Sequence, residues 1–313
     1  MSASKIVNSK LEKYFPWFCC VGFLLVFWAL FTGRSPQIGH DYKYFLPRLV
    51  EGADYTLKNW GIQYFSRFCG GFPAYGNPQS MQLSVPQVFF FFLTPYAALV
   101  SSVLFYCFLG FWGMYWLLRR GLEISSVVAA TGALVFISNG FFFSHLMAGN
   151  FSYITFPLIP WVLLFLVESD RAEKKRSQII FLSCSVFIAT SFLYSGGYWT
   201  SFVLGGGILY FFTFVKRIRV SLFLAFIFLS VLLGLSKLQA FLDFHPILYH
   251  DYQLQKSKDF VDALRSAGAA LFLPPSWAGY KETGFWWEYS SLLCPLILLA
   301  LLLKDEQGVK EKN

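Results

Sequence analysis

Residues 98–120 read ALVSSVLFYCFLGFWGMYWLLRR: 21 residues without a charge, closed by Arg119 and Arg120. About 20 apolar residues in a helix cover the ~30 Å of hydrocarbon in a bilayer. A pair of arginines directly after such a block marks its cytoplasmic end. No soluble surface helix needs apolar side chains around its whole circumference, so this stretch predicts a membrane span.

The same alternation of apolar block and charge recurs on both sides. Eight candidate spans follow, at residues 16–33, 98–118, 125–144, 151–168, 178–194, 198–215, 220–238 and 285–303. Composition agrees: of 313 residues 56% are hydrophobic, 21% aromatic and only 13% charged, against about 45–50% apolar and about 25% charged in soluble domains. The expected fold is an all-α polytopic membrane protein, a single transmembrane domain over residues 1–313. It has about eight transmembrane helices, both termini inside, and two long extracytoplasmic loops, 34–97 and 239–284.

The net charge of +8 raises nucleic acid as a partner, and the placement of the charges removes that reading. With the N-terminus cytoplasmic, the inner segments hold 15 basic residues against 8 acidic ones, and the outer segments hold 10 against 9. The excess is an orientation signal carried by short inner loops. The first apolar block is long, lacks a small-residue cleavage site and runs into Gly33-Arg34-Ser35-Pro36, so it reads as an anchor rather than a cleaved leader. Cys19, Cys20, Cys107, Cys184 and Cys294 lie in apolar blocks and only Cys69 in a polar loop, which implies neither a disulfide framework nor a zinc site. Residues 84–97, SVPQVFFFFLTPYA, are apolar but too short to cross and predict an interfacial helix or a folded-in stretch of the first outer loop, and residues 269–280, AALFLPPSWAGY, where Pro274-Pro275 breaks any helix, are expected at the interface as well.

No span carries an ionisable residue at its centre; His145, Lys237 and Glu288 fall near outer ends. Buried charges mark proton relays and voltage sensors, so such machines are disfavoured and polar chemistry is expected at the outer face. There the first loop opens GHDYKYFLPRLVEGADYTLKNW. Asp41 is the candidate general base, a carboxylate near the membrane surface able to take a proton from an attacking hydroxyl, with His40 beside it. The competing reading is that Asp41 caps the helix that follows. Glu51 and Asp54 form a second acidic pair, able in principle to share a divalent cation, though their spacing is no metal signature and a solvated loop face is the simpler account. His245 and His250 are five apart and fit no zinc motif. Arg48, Arg67, Lys237, Arg265 and Lys281 are outer cations suited to a lipid phosphate. Tyr42, Tyr44, Trp60, Tyr64 and Tyr75 suit sugar stacking or, more simply, an interfacial aromatic belt.

In the order of these features the chain resembles the GT-C fold membrane glycosyltransferases, and among them the bacterial YfhO-like proteins. The stretches that carry the resemblance are GHDYKYFLPRL, GGFPAYGNPQSMQLSVPQVFFFF, MAGNFSYITFPLIPWVLLFL with its Pro-x-x-Pro-Trp, the turn YSGGYW, and GLSKLQAFLDFHPILYH. The chain departs from the family in lacking a paired acidic site, further spans and a C-terminal soluble domain. The resemblance implies an inverting transfer of a sugar from a polyprenyl-phosphate donor to an acceptor on the outer face of a bacterial cytoplasmic membrane. Asp41 matches the family's first-loop acid. His40, Arg48, Asp54, Arg67, Lys237, His245, Arg265 and Lys281 are the candidate substrate-binding set. No metal or cofactor is expected; membrane lipids, an unidentified glycan, lipid or protein acceptor and a possible membrane subunit are the expected partners. The alternative is a non-catalytic binding protein, flippase or assembly subunit for a lipid-linked glycan, and a third reading is a structural partner for a periplasmic protein.

Overall fold

A computed structural model describes residues 3–32, 41–67 and 71–244. Of the described residues, those up to Ile137 and those from Leu146 to Phe244 form one compact unit, while Ser138–His145 belongs to a second. The expected eighth span and, from residue 245 on, the expected second outer loop, with His245, His250, Arg265 and Lys281, lie outside the described residues, as does His40; residues 239–244, expected to open that loop, instead continue the helix that begins at Val220.

The described chain is mostly helical. Helix α1 spans Ala3–Thr32 and contains the first expected span. Helix α2, Tyr42–Asn59, is amphipathic and falls in the stretch 34–97 expected as the first loop. A two-residue antiparallel hairpin follows, β1 Phe65–Ser66 and β2 Phe72–Pro73, with Phe65 opposite Pro73. Next come the short α3, Val85–Phe90, and α4, Pro95–Trp116. The stretch expected to be interfacial thus forms a six-residue helix that begins at the Ser84 cap and ends before Pro95 opens α4. The remaining helices are α5 Ser126–Ile137, α6 Gly140–Ala148, α7 Ile159–Arg171, α8 Lys175–Tyr194, α9 Tyr198–Tyr210 and α10 Val220–Phe244.

Among the described residues five helical stretches are long and apolar enough to cross a membrane: Pro95–Gly121, Ser126–Phe143, Phe151–Arg171, Lys175–Tyr194 and Val220–Asp243. The stretch Thr200–Val215 is apolar but shorter. On α10 the side chains of Leu224, Phe228, Leu232 and Leu235 stand exposed. Water would penalise such a face and hydrocarbon does not, which makes this a helical membrane protein.

Small residues set how closely the helices approach. A Cβ built on Gly110 would lie 2.5 Å from Pro157 Cβ, and one on Gly113 would lie 2.6 Å from Trp161 Cδ1. The Pro-x-x-Pro-Trp stretch therefore seats Pro157 and Trp161 in a notch on α4, where the Trp161 indole N–H donates to the Leu109 carbonyl at 2.8 Å. Close packing over small residues substitutes in a membrane for the hydrophobic drive that water would supply.

One end of this unit is cationic. Arg171 donates to the Arg120 and Gly121 carbonyls and pairs with Glu123 at 3.1 Å, tying the turn after α4 to the end of α7. Arg219 Nε meets Asp170 at 2.8 Å, adding the start of α10. These are the short loops that charge alone assigns to the cytoplasm.

Candidate functional site

At the opposite end, four of the five sequence stretches that carry the resemblance meet. The Asp41 amide donates to the Ala148 carbonyl at 3.1 Å, and the buried Tyr42 hydroxyl donates to the Leu146 carbonyl at 2.9 Å. Gly149 has φ +87°, and a Cβ there would collide with the Tyr42 ring at 2.2 Å, so only glycine lets this turn receive the start of α2. Burial pushes the Tyr42 phenol pKa up, which keeps the hydroxyl a donor. In YSGGYW, Gly196 has φ +71° and a Cβ on it would meet the Gln79 carbonyl at 2.8 Å, so the α8–α9 turn packs directly on the first loop.

The fifth stretch closes the arrangement. Lys237, 4% exposed near the C-terminal end of α10, donates to the carbonyls of Tyr75 and Asn77, the latter at 3.0 Å, and lies 5.0 Å from the Tyr75 ring centre. Ser236 adds contacts to the Tyr75 hydroxyl at 3.1 Å and the Tyr194 hydroxyl at 2.8 Å. Asn77 in turn donates to the Tyr44 hydroxyl at 3.2 Å, and the Tyr44 ring carries the Arg48 guanidinium at 3.5 Å from its centre. A polar chain, buried at Lys237 and Asn77 and half-buried at Tyr75, Tyr44 and Arg48, thus runs from α10 through the first loop to α2.

Two hollows sit here and share a wall. The first, a polar cavity of about 30 Å³, is lined by Arg48, Glu51, Gln63, Asn77, Gln82 and Gln87 among others. It has room for a water or two and none for a sugar ring. The second is an apolar groove of about 890 Å³ along the bundle, lined by Trp60, Leu83, Val88, Phe105, Trp161 and Phe187 among others. Gln82 and Gln87 belong to both. Gln87 is 1% exposed and its Nε2 donates to the Leu49 carbonyl at 3.1 Å, so it holds α3 on α2 while facing the hollows.

Asp41 opens α2 in helical backbone, φ −67° and ψ −20°, and its carboxylate makes no capping bond. The capping alternative is not how this helix starts. Asp41 does not line the polar cavity; it stands one turn before Phe45, which does, about 6 Å along the helix axis. Asp54 is exposed in an i,i+4 pair with Lys58 at 2.7 Å and does not line the cavity. The Arg67 side chain is exposed while its amide donates to Glu51 at 2.6 Å. Glu51 also accepts from Gln63 Nε2 at 2.8 Å and from the Ser66 hydroxyl. Burial raises its pKa, but these bonds and the nearby Arg67 charge outweigh burial and leave it below the usual glutamate value. A carboxylate so fully engaged is a structural hub and a poor base.

Of the predicted substrate-binding set, then, Arg48 lines the cavity and Lys237 braces the loop behind it, whereas Asp54 and Arg67 face outward. Ranking by charge missed the neutral amides Gln63, Asn77, Gln82 and Gln87. For Asn77, Gln82 and Gln87 the signal is visible in retrospect as Gln and Asn recurring through NPQSMQLSVPQ, just before the Phe run; Gln63 stands alone in GIQYF. Among the described residues no three His, Cys, Asp or Glu side chains cluster as metal ligands.

No family model, no curated protein and no solved structure matches the chain. What the structure defines is the broader class, a helical membrane protein, with a constructed polar and apolar site at one end.

Proposed function

We propose that the chain is a glycosyltransferase of the GT-C type, moving a sugar with inversion from a polyprenyl-phosphate-linked donor to an acceptor at the extracytoplasmic face of a bacterial cytoplasmic membrane. The observation that carries this reading is the shared wall: an apolar groove of lipid size adjoins a polar cavity across Gln82 and Gln87. An amphipathic donor fits that pairing, its chain in the groove and its phosphate toward Arg48. The cavity is too small for the sugar, which lies at its mouth toward Tyr44 and the start of α2. Asp41 takes the proton of the acceptor hydroxyl as the acceptor oxygen attacks the anomeric carbon. The bond from that carbon to the phosphate oxygen breaks, and polyprenyl phosphate leaves with its charge met by Arg48.

A flippase would need a polar route through the bundle. The hydroxyls of Ser102, Thr131 and Ser185 instead donate to carbonyls of Ala98, Val127 and Val162, which favours transfer over translocation.

The test is turnover of a labelled polyprenyl-phosphate sugar by the full-length chain in liposomes. The wild type should release polyprenyl phosphate, and Asp41→Asn should lose roughly 10²-fold or more of that rate while keeping the wild-type helix content. Equal donor consumption by both proteins would remove Asp41 from the mechanism.

A further inference from the structure

The cationic end of the bundle carries a second recess, of about 370 Å³, between α1, α4 and the start of α5. Its walls are aromatic: Trp17 and Trp112 lie with ring centres 4.5 Å apart, and Trp112 leads to Tyr115 at 5.4 Å and Trp116 at 6.3 Å. Its rim is charged by Lys13, Arg119 and Glu12. The Arg120 guanidinium stacks on Trp116, 4.7 Å from the ring centre. The floor is held rigid by the Tyr115 hydroxyl on Ser126 at 3.0 Å and by Ser126 donating to the Glu12 carbonyl at 3.1 Å. The Arg119 guanidinium donates through Nη1 to the Ile124 carbonyl at 2.8 Å, which holds the charged head at the rim while the side chain stays exposed.

The geometry points to a binding site for the headgroup of an anionic phospholipid. Lys13 and Arg119 at the rim, with Arg120 on the Trp116 wall, against the single carboxylate of Glu12 leave a net positive charge, the complement of a phosphodiester bearing no amine. Tryptophan and tyrosine settle at the headgroup level of a bilayer, with the ring edge toward the chains and the N–H or O–H toward water. Lysine and arginine donate to phosphate oxygens at the same depth. The recess lies at the end where the arginines of the short loops gather, which is the side on which basic side chains and anionic headgroups of the cytoplasmic leaflet meet. Nothing in this assignment depends on the opposite end of the protein or on catalysis there.

Phospholipid retained by the full-length protein, purified from equimolar phosphatidylglycerol and phosphatidylethanolamine vesicles and counted by mass spectrometry, tests the site. The wild type should retain phosphatidylglycerol in preference, and excess inorganic phosphate should not displace it. Lys13→Gln should weaken retention about fivefold and Lys13→Gln with Arg119→Gln about twentyfold, at ~1 kcal/mol for each cation near a lipid surface. Lys13 is exposed, so its single variant stays informative if the double one folds poorly. Lys58→Gln, at the other end, should match the wild type. Equal retention of the two lipids, a preference for phosphatidylethanolamine, unchanged retention in the variants, or displacement by phosphate would each overturn the assignment.

Discussion

Glu51 shows at the scale of one residue how a charge that reads as chemistry can serve as structure. Three donors from Gln63, Ser66 and Arg67 converge on it, so it joins α2 to the β1 hairpin. Because its folded pKa lies below the ordinary glutamate value, its contribution to stability is complete above that ordinary value. It is lost as pH falls through the lowered folded one. Thermal melts from pH 7 to pH 3 should therefore show an acid-induced fall in the wild type that is smaller in Glu51→Gln. The variant should already be less stable at pH 7, by about 1–3 kcal/mol for a buried donor left unmatched. Melts that run parallel across the range would show that Glu51 does not couple to folding. Asp41 presents the opposite case: its type and position were legible, but only the backbone angles show that its carboxylate is not used to cap α2.

At the scale of elements, the contact of α4 with α7 and the turn that leads into it rests on two missing side chains, Gly110 under Pro157 and Gly113 under Trp161. Gly113→Ala would place a methyl carbon 2.6 Å from Trp161, and the ring cannot yield without losing its bond to the Leu109 carbonyl. Overpacking of this kind costs about 1–3 kcal/mol, so Gly113→Ala should lower the melting temperature in detergent. Gly206→Ala, with nothing within 4 Å, should leave it unchanged or slightly higher. A neutral Gly113→Ala would mean that the two helices separate freely. The glycines are visible in GFWGMYW, but their partner Trp161 is 48 residues further on, and no periodicity within α4 points to it.

At the scale of the whole unit formed by the described residues up to Ile137 and Leu146–Phe244, the two ends differ in kind: arginines and short turns at one, α2, the hairpin and α3 at the other. The positive-inside argument puts Lys174 in the cytoplasm and Lys58 outside. In cells carrying Cys69→Ser, a cysteine at position 58 should react with a membrane-impermeant maleimide and one at position 174 only after permeabilisation. The reverse pattern would invert the topology and place the proposed transfer on the cytoplasmic side.

Composition and block length by themselves determined that this chain enters a membrane as helices, because the cost of unsatisfied backbone in hydrocarbon leaves few alternatives. They also marked Asp41 and Arg48, because charges are rare enough here to stand out. Only the tertiary structure decided that Lys237 is spent on the Tyr75 and Asn77 carbonyls, that Asp54 pairs with Lys58 at the surface, and that Gln82 and Gln87 form the wall between a polar cavity and an apolar groove. The reason is distance along the chain. Residues 75 and 237, or 42 and 146, meet through helix packing whose specificity lies in glycine notches and neutral amides, and these leave no periodic trace in any one segment.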